Sequence, residues 1–228
     1  MQIPDIEDQF EALLRLSLQE TGTVHERSRI AGSIGPLGAS YRSDIHPDLA
    51  TATPLYAEVA QILAPDVDIL LFETIASIEA AKACLAAGRQ TNRPVWLAFT
   101  VDDEDGGLLR SGEPVSEAAK VAADADAVLA NCSAPEAMPK ALAALAPSNR
   151  PFGAYGNAFT MITKAFLEGG TTAADLSARQ DMTPDIYADH AMAWVDQGAT
   201  IIGGCCETGP KHIAEIARRL RAAGHKIV

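Results

Sequence analysis

Six short, almost uninterrupted apolar runs punctuate the chain: SRIAGSIG (28–35), VDILLFE (67–73), PVWLAFT (94–100), AVLANCS (127–133), PFGAYGN (151–157) and ATIIGGCC (199–206). Runs without polar alternation are expected of parallel strands buried on both faces. Between them the apolar positions take helical spacing. IEAAKACLAAG has Ser77 as its N-cap and Gly88 near its end. PEAMPKALAAL and PDIYADHAMAWVDQG open with proline in the first turn, and the second stops at Gly198. PKHIAEIARRLRAAG opens the same way and closes at Gly224. This alternation predicts an α/β fold with a parallel sheet. With no low-complexity linker and no break in composition, it also predicts a single domain over 1–228.

The pattern alone leaves open a doubly wound sheet and a closed barrel. GSIGPLG (32–38) is glycine-rich, but its spacing and internal proline are wrong for a dinucleotide fingerprint, and a phosphate loop is absent. The longest turn-rich segment after a strand, VDDEDGGLLRSGEP (101–114), reads as a large βα loop of the kind that carries function.

Composition narrows the partners. The 228 residues are 48% hydrophobic, enough for one sizeable core. Eighteen basic against 30 acidic residues give a net charge of −12. No basic stripe is present to meet phosphates, so a nucleic-acid partner is excluded, and an anionic membrane surface is disfavoured. No apolar stretch approaches the ~20 residues of a transmembrane helix, and MQIPDIEDQF lacks the features of a signal peptide. The expectation is a cytoplasmic protein. Its four cysteines (Cys84, Cys132, Cys205 and Cys206) then point to metal or redox chemistry rather than a disulfide framework.

Polar residues gather where the predicted strands end: Glu73, Asn131 with Cys132, Asn157, and Cys205 with Cys206. That rim is where parallel α/β folds build active sites. Cys132, Cys205 and Cys206 offer three thiolates to one zinc ion, whose catalytic sites keep a fourth position open. For adjacent cysteines to reach one ion, the backbone must leave extended geometry. Gly203 and Gly204, tolerant of left-handed conformations, are expected to provide that freedom. A redox switch between Cys132 and the pair is the rival reading, and Cys84, inside a helical pattern, reads as a small buried hydrophobe. Zinc with three thiolates carries a net charge of −1. It suits the capture of an incoming thiol as a nucleophilic thiolate better than the activation of water. Glu73 suits the ammonium group of an amino-acid substrate. Asn131 and Asn157 suit a substrate carboxylate, the orientation of a neighbouring loop, or ordinary turn chemistry. His190 and His212, both in helical patterns, read as surface or packing residues.

GATIIGGCCETGPKHIAEI resembles the C-terminal signature of the homocysteine S-methyltransferase family. VLANCS is similar to that family's Asn-Cys segment, AGSIGPLGASY to its third-strand segment and LLFETI to its fourth-strand acidic segment. VDDEDGGLLRSGEP resembles its fifth-strand loop, and AYGNAF stands where the family often has Pro-Asn. The likeness covers essentially the whole chain, in order. It implies a TIM-type (β/α) barrel with six of the eight βα units apparent. IEDQFEALLRLSLQE resembles the helix after the second strand, so strands one and two have no counterpart. It also implies zinc on Cys132, Cys205 and Cys206, homocysteine thiolate as the fourth ligand, and Glu73 on the homocysteine amino group. The product would be methionine, and the donor S-methylmethionine, S-adenosylmethionine, betaine or a folate. Glu207 stands where many members have glycine, placing a carboxylate beside the metal or the donor. Without the first two strands the first and last runs are open edges, which a homo-oligomer would cover. The alternative for a shortened member is a non-catalytic zinc- or thiol-binding, redox-responsive protein.

Overall fold

The structure, a computed structural model, describes residues 28–160, 162 and 176–227; the IEDQFEALLRLSLQE segment lies outside them. All six apolar runs form strands: β1 (Ala31–Ile34), β2 (Ile69–Ile75), β3 (Val95–Phe99), β4 (Ala127–Asn131), β5 (Phe152–Tyr155) and β6 (Ile201–Ile202). Each pairs in parallel with its successor, in the order β1-β2-β3-β4-β5-β6. A doubly wound sheet reverses direction at a switch point, and this order never does. Successive strands also rotate against one another. The result is a curled half-barrel of the TIM-barrel type, with β1 and β6 as its edges among the described residues.

Among the described residues six α-helices cover the outside: α1 (Leu49–Leu63), α2 (Ile78–Gly88), α3 (Val115–Ala122), α4 (Met138–Leu145), α5 (Pro184–Asp196) and α6 (Pro210–Ala222). Ser77 caps α2, its Oγ accepting from Ala80 N at 3.2 Å. Thr183 caps α5, and Pro184 takes a first-turn position whose missing N–H costs nothing. Gly198 and Gly224 follow α5 and α6 with φ of 96° and 84°, a region glycine enters without steric cost. The fourth helix begins later than its pattern suggests. Residues 134–137 form a turn, Ala137 N donating to Ala134 O at 3.0 Å, so Pro139 rather than Pro135 is the first-turn proline.

Alternation along the strands divides the chemistry between two faces. Leu70, Phe72, Leu97, Phe99, Val128 and Ala130 point outward into the main core beneath the helices, where Cys84 is completely buried. Leu71, Trp96, Ala98, Leu129, Tyr155 and Ile201 form a smaller cluster on the concave face. Ser33, Glu73 and Asn131 share that face by parity with these residues. Near its C-terminal end β2 breaks register with β3 between Phe72 and Ile75, and Thr74 sits at φ 59°. Among the described residues no helix is long and apolar enough to cross a membrane.

Candidate metal centre

Cys132 follows β4, while Cys205 and Cys206 follow β6. The ends of three strands are laced together to bring them close. Cys132 N donates to Tyr155 O (3.1 Å), Cys205 N to Gly156 O (2.9 Å), and Ala158 N to Cys206 O (2.9 Å). From α5 the buried Tyr187 hydroxyl lies within bonding distance of Gly156 O and Gly203 O, at 2.9 and 3.0 Å, pegging the ends of β5 and β6 together. The three Sγ atoms lie within 4.8 Å of one another. Cys132–Cys206 is 3.8 Å and Cys205–Cys206 is 3.9 Å. Ligand bonds of ~2.3 Å to a tetrahedral ion place neighbouring sulfurs ~3.8 Å apart. The donor set therefore fits a metal ion of the thiolate-binding class.

Without metal the three thiols share their protons unequally. Hydrogen bonds from Cys132 and Cys205 favour the Cys206 thiolate and hold its pKa well below the ordinary thiol range, at about 3. Cys205 is pushed far up, because it donates to both neighbours and is partly buried. Cys132 is pushed up to about 11; the bond from Cys205 favours its thiolate, but the bond to Cys206 and burial outweigh it. One thiolate held by two thiols costs less than three adjacent negative charges, and a divalent cation removes that repulsion.

On the concave face Glu73 accepts from Ser33 Oγ, and from the Tyr155 hydroxyl at 3.0 Å. Burial and the Glu73 charge raise the Tyr155 pKa well above its usual value, so the phenol keeps its proton to donate. Asn131 is fully buried, and both ends of its amide are used by the β2 bulge. Its Oδ1 accepts from Thr74 N (2.9 Å) and its Nδ2 donates to Thr74 Oγ1 (3.1 Å). Asn157 is also buried; its Oδ1 accepts from Phe159 N (3.2 Å), while its Nδ2 has no partner among the described residues. His212 accepts from Gly209 N and sits 3.0 Å from Met182 O, a helix-capping position outside the three-cysteine group.

The homocysteine S-methyltransferase family model matches residues 2–220 of this chain. The chain belongs to this family. It is 30% identical over 209 residues to homocysteine S-methyltransferase 3 of Arabidopsis thaliana, a match covering 84% of this chain and 57% of that one. Selenocysteine methyltransferase of Astragalus bisulcatus is 28% identical over 208 residues, covering 84% and 58%. The chain thus spans less than two thirds of the length of these relatives. The crystal structure of the homocysteine methyltransferase MmuM from Escherichia coli, in its metallated form, shares the fold: TM-score 0.71 and 24% identity, covering 93% of this chain and 72% of that one.

In this member of the homocysteine S-methyltransferase family, the glycines before the cysteine pair act differently from the sequence expectation. Neither Gly203 nor Gly204 is among the positive-φ residues; within the two cysteine segments the left-handed positions are Cys132 (φ 48°) and Glu207 (φ 61°). The chain turns at Cys206–Glu207, starting within the pair, rather than before it. Gly204 is needed for space instead, because a Cβ there would lie 2.2 Å from Thr208 Oγ1. That hydroxyl is occupied in donating to Cys205 O at 2.6 Å. Four residues near the site were not singled out from the sequence, although each lies in a segment that the family resemblance covers. Ser33 and Tyr155 hold Glu73, Tyr41 lies against Cys132, and Arg110 covers Tyr41. Their partners are 40 to 91 residues away, beyond the reach of any local pattern.

Proposed function

We propose that this protein is a zinc-dependent methyltransferase that moves a methyl group to the thiol of homocysteine and yields methionine, with Cys132, Cys205 and Cys206 as the zinc ligands. The observation that carries this reading is the set of three sulfurs within 4.8 Å of one another, Cys206 at tetrahedral spacing from both others, on a rim it shares with Glu73. Bound zinc would supply the Lewis acidity that lets the incoming thiol lose its proton near neutral pH. The chain's own groups orient the substrate. Glu73, fixed by Ser33 and Tyr155, takes the ammonium group. Asn157 Nδ2, a buried donor with no partner among the described residues, takes a carboxylate oxygen. Asn131 acts indirectly, by bracing the bulge immediately after Glu73. The substrate sulfur then attacks the donor's methyl carbon. The donor's bond to that methyl breaks with its electron pair left on the donor, and the thiol proton goes to solvent. The donor is S-methylmethionine, S-adenosylmethionine, betaine or a folate, and the selenocysteine relative extends the acceptor class to a selenol.

The test is metal analysis of the freshly reduced chain beside Cys206→Ala, with methionine formation measured for each donor. One zinc per chain is expected, with most of it lost in the variant and methionine made only by the unsubstituted protein. Zinc well below one per chain, or unchanged by the substitution, sinks the proposal. A chain that binds zinc but makes no methionine from any donor is instead the thiol-binding, redox-responsive protein, a reading favoured by the 3.8 Å between Cys132 and Cys206.

A further inference from the structure

Behind the three sulfurs lies a second layer of polar groups that neither capping nor turn chemistry explains. Tyr41, 3% exposed and at φ 67°, follows β1 and places its hydroxyl 3.1 Å from Cys132 Sγ. The Arg110 guanidinium lies over its ring, 5.4 Å from the centroid. Arg110 is in turn paired with Asp103 at 2.8 Å, both side chains 2% exposed. Both members also grip the backbone. Asp103 accepts from Ala134 N at 2.8 Å, two residues past Cys132, and from Ile162 N at 2.7 Å. Arg110 donates to Ile162 O at 3.2 Å and to Thr100 Oγ1 at 3.4 Å. Tyr41, Ile162 and Cys132 form one small buried cluster against which Cys205 and Cys206 pack.

A buried ion pair is expensive to desolvate and is a weak source of stability, so its retention calls for another reason. Here the bonds give one. The pair holds both walls of the thiol pocket: Tyr41 through its ring, and Ile162 through both of its peptide groups.

We propose that Tyr41, Arg110 and Asp103 are positioning residues for the metal centre, with Tyr41 donating its hydroxyl proton to Cys132 Sγ and the Arg110–Asp103 pair holding the ring in place. The inference rests on reading the three cysteines as a metal site. A metal-bound sulfur is a thiolate and can only accept, which leaves the phenol as donor. The hydrogen bond fixes the rotamer of Cys132 and stabilises its thiolate over the protonated thiol that competes with the metal. Supporting partners of this kind are worth ~10–100-fold in metal affinity when removed.

The experiment uses the full reduced chain, kept free of oxygen and loaded with Zn2+ or Co2+, as the unsubstituted protein and as Tyr41→Phe, Arg110→Lys and Tyr56→Phe. The last is a matched control, since Tyr56 is equally buried but bonds to Leu37 N and His46 instead. Zinc affinity is read by competition with a chromophoric chelator, and the thiolate-to-cobalt charge-transfer band by absorption. Tyr41→Phe is expected to weaken zinc binding ~10–100-fold and move the band to lower energy, because a sulfur without its hydrogen bond gives up an electron more easily. Arg110→Lys should do the same to a smaller degree, and Tyr56→Phe should move neither readout. Tyr41→Phe with the parent's affinity and band position overturns the proposal, as does an equal shift in Tyr56→Phe. An Arg110→Lys variant that folds with parent values overturns the part given to the ion pair. If the unsubstituted chain takes up neither ion, the metal-site reading falls, and this inference falls with it.

Discussion

Cys205 and Cys206 are neighbours in sequence but opposites in protonation. Cys205 keeps its proton because it gives hydrogen bonds to two sulfurs, and Cys206 loses its proton because it receives them. In the metal-free, reduced chain, alkylation should therefore tag Cys206 first. Its rate should hardly fall between pH 8 and pH 6, since a group that ionises at about 3 is a thiolate throughout that window. An ordinary thiol with a pKa near 8.5 would slow close to a hundredfold over the same range. Cys84, completely buried and with its pKa raised by that burial, should react only after unfolding. Peptide mapping after brief iodoacetamide treatment checks the order, and equal labelling of Cys205 and Cys206 at pH 6 contradicts it.

At the scale of elements, the sequence made most of the frame legible. The six apolar runs, the proline-led starts of α5 and α6 and the glycines after them are local signals with local causes, and the structure has them where the chain puts them; α4 alone starts later than its leading proline indicates. The three cysteines were legible as a set because adjacent cysteines are rare and strand ends are predictable. Tyr41 was not, since its contact with Cys132 spans 91 residues and depends on how the sheet curls. Nor was the use of Gly153. A Cβ at that position would come within 1.8 Å of Ile201 O, so β6 can approach β5 only if residue 153 is glycine. Gly153→Ala should push β6 away and carry the two cysteines out of range of Cys132. The expected result is a chain that keeps most of its helical circular dichroism but loses most of its bound zinc. Full zinc occupancy in that variant would show that the site tolerates the displacement.

For the whole molecule, the candidate centre bridges the ends of two strands that do not pair with each other. Cys132 lies beyond β4, and the pair lies beyond β6, an edge strand of two residues. A ligand that binds only the folded state stabilises it by ~2.7 kcal/mol at one hundred times its Kd. For a chain of this size that corresponds to roughly 5–11 °C in melting temperature, at ~2–4 °C per kcal/mol. Chelation of the zinc-loaded protein should lower Tm by that amount, and readdition of zinc should restore it. An unchanged Tm would mean that the sulfurs are held by the fold alone.

The lacing of Cys132 to Cys206 across 74 residues also sets a timetable. At synthesis rates of ~5–20 residues per second, Cys132 leaves the ribosome roughly 4–15 s before its partner. Asp103, Arg110 and Tyr41 are all encoded ahead of it. The nascent chain thus holds the groups that shelter this thiol before it has made the thiol, and the two sulfurs that complete the trio arrive last of the set.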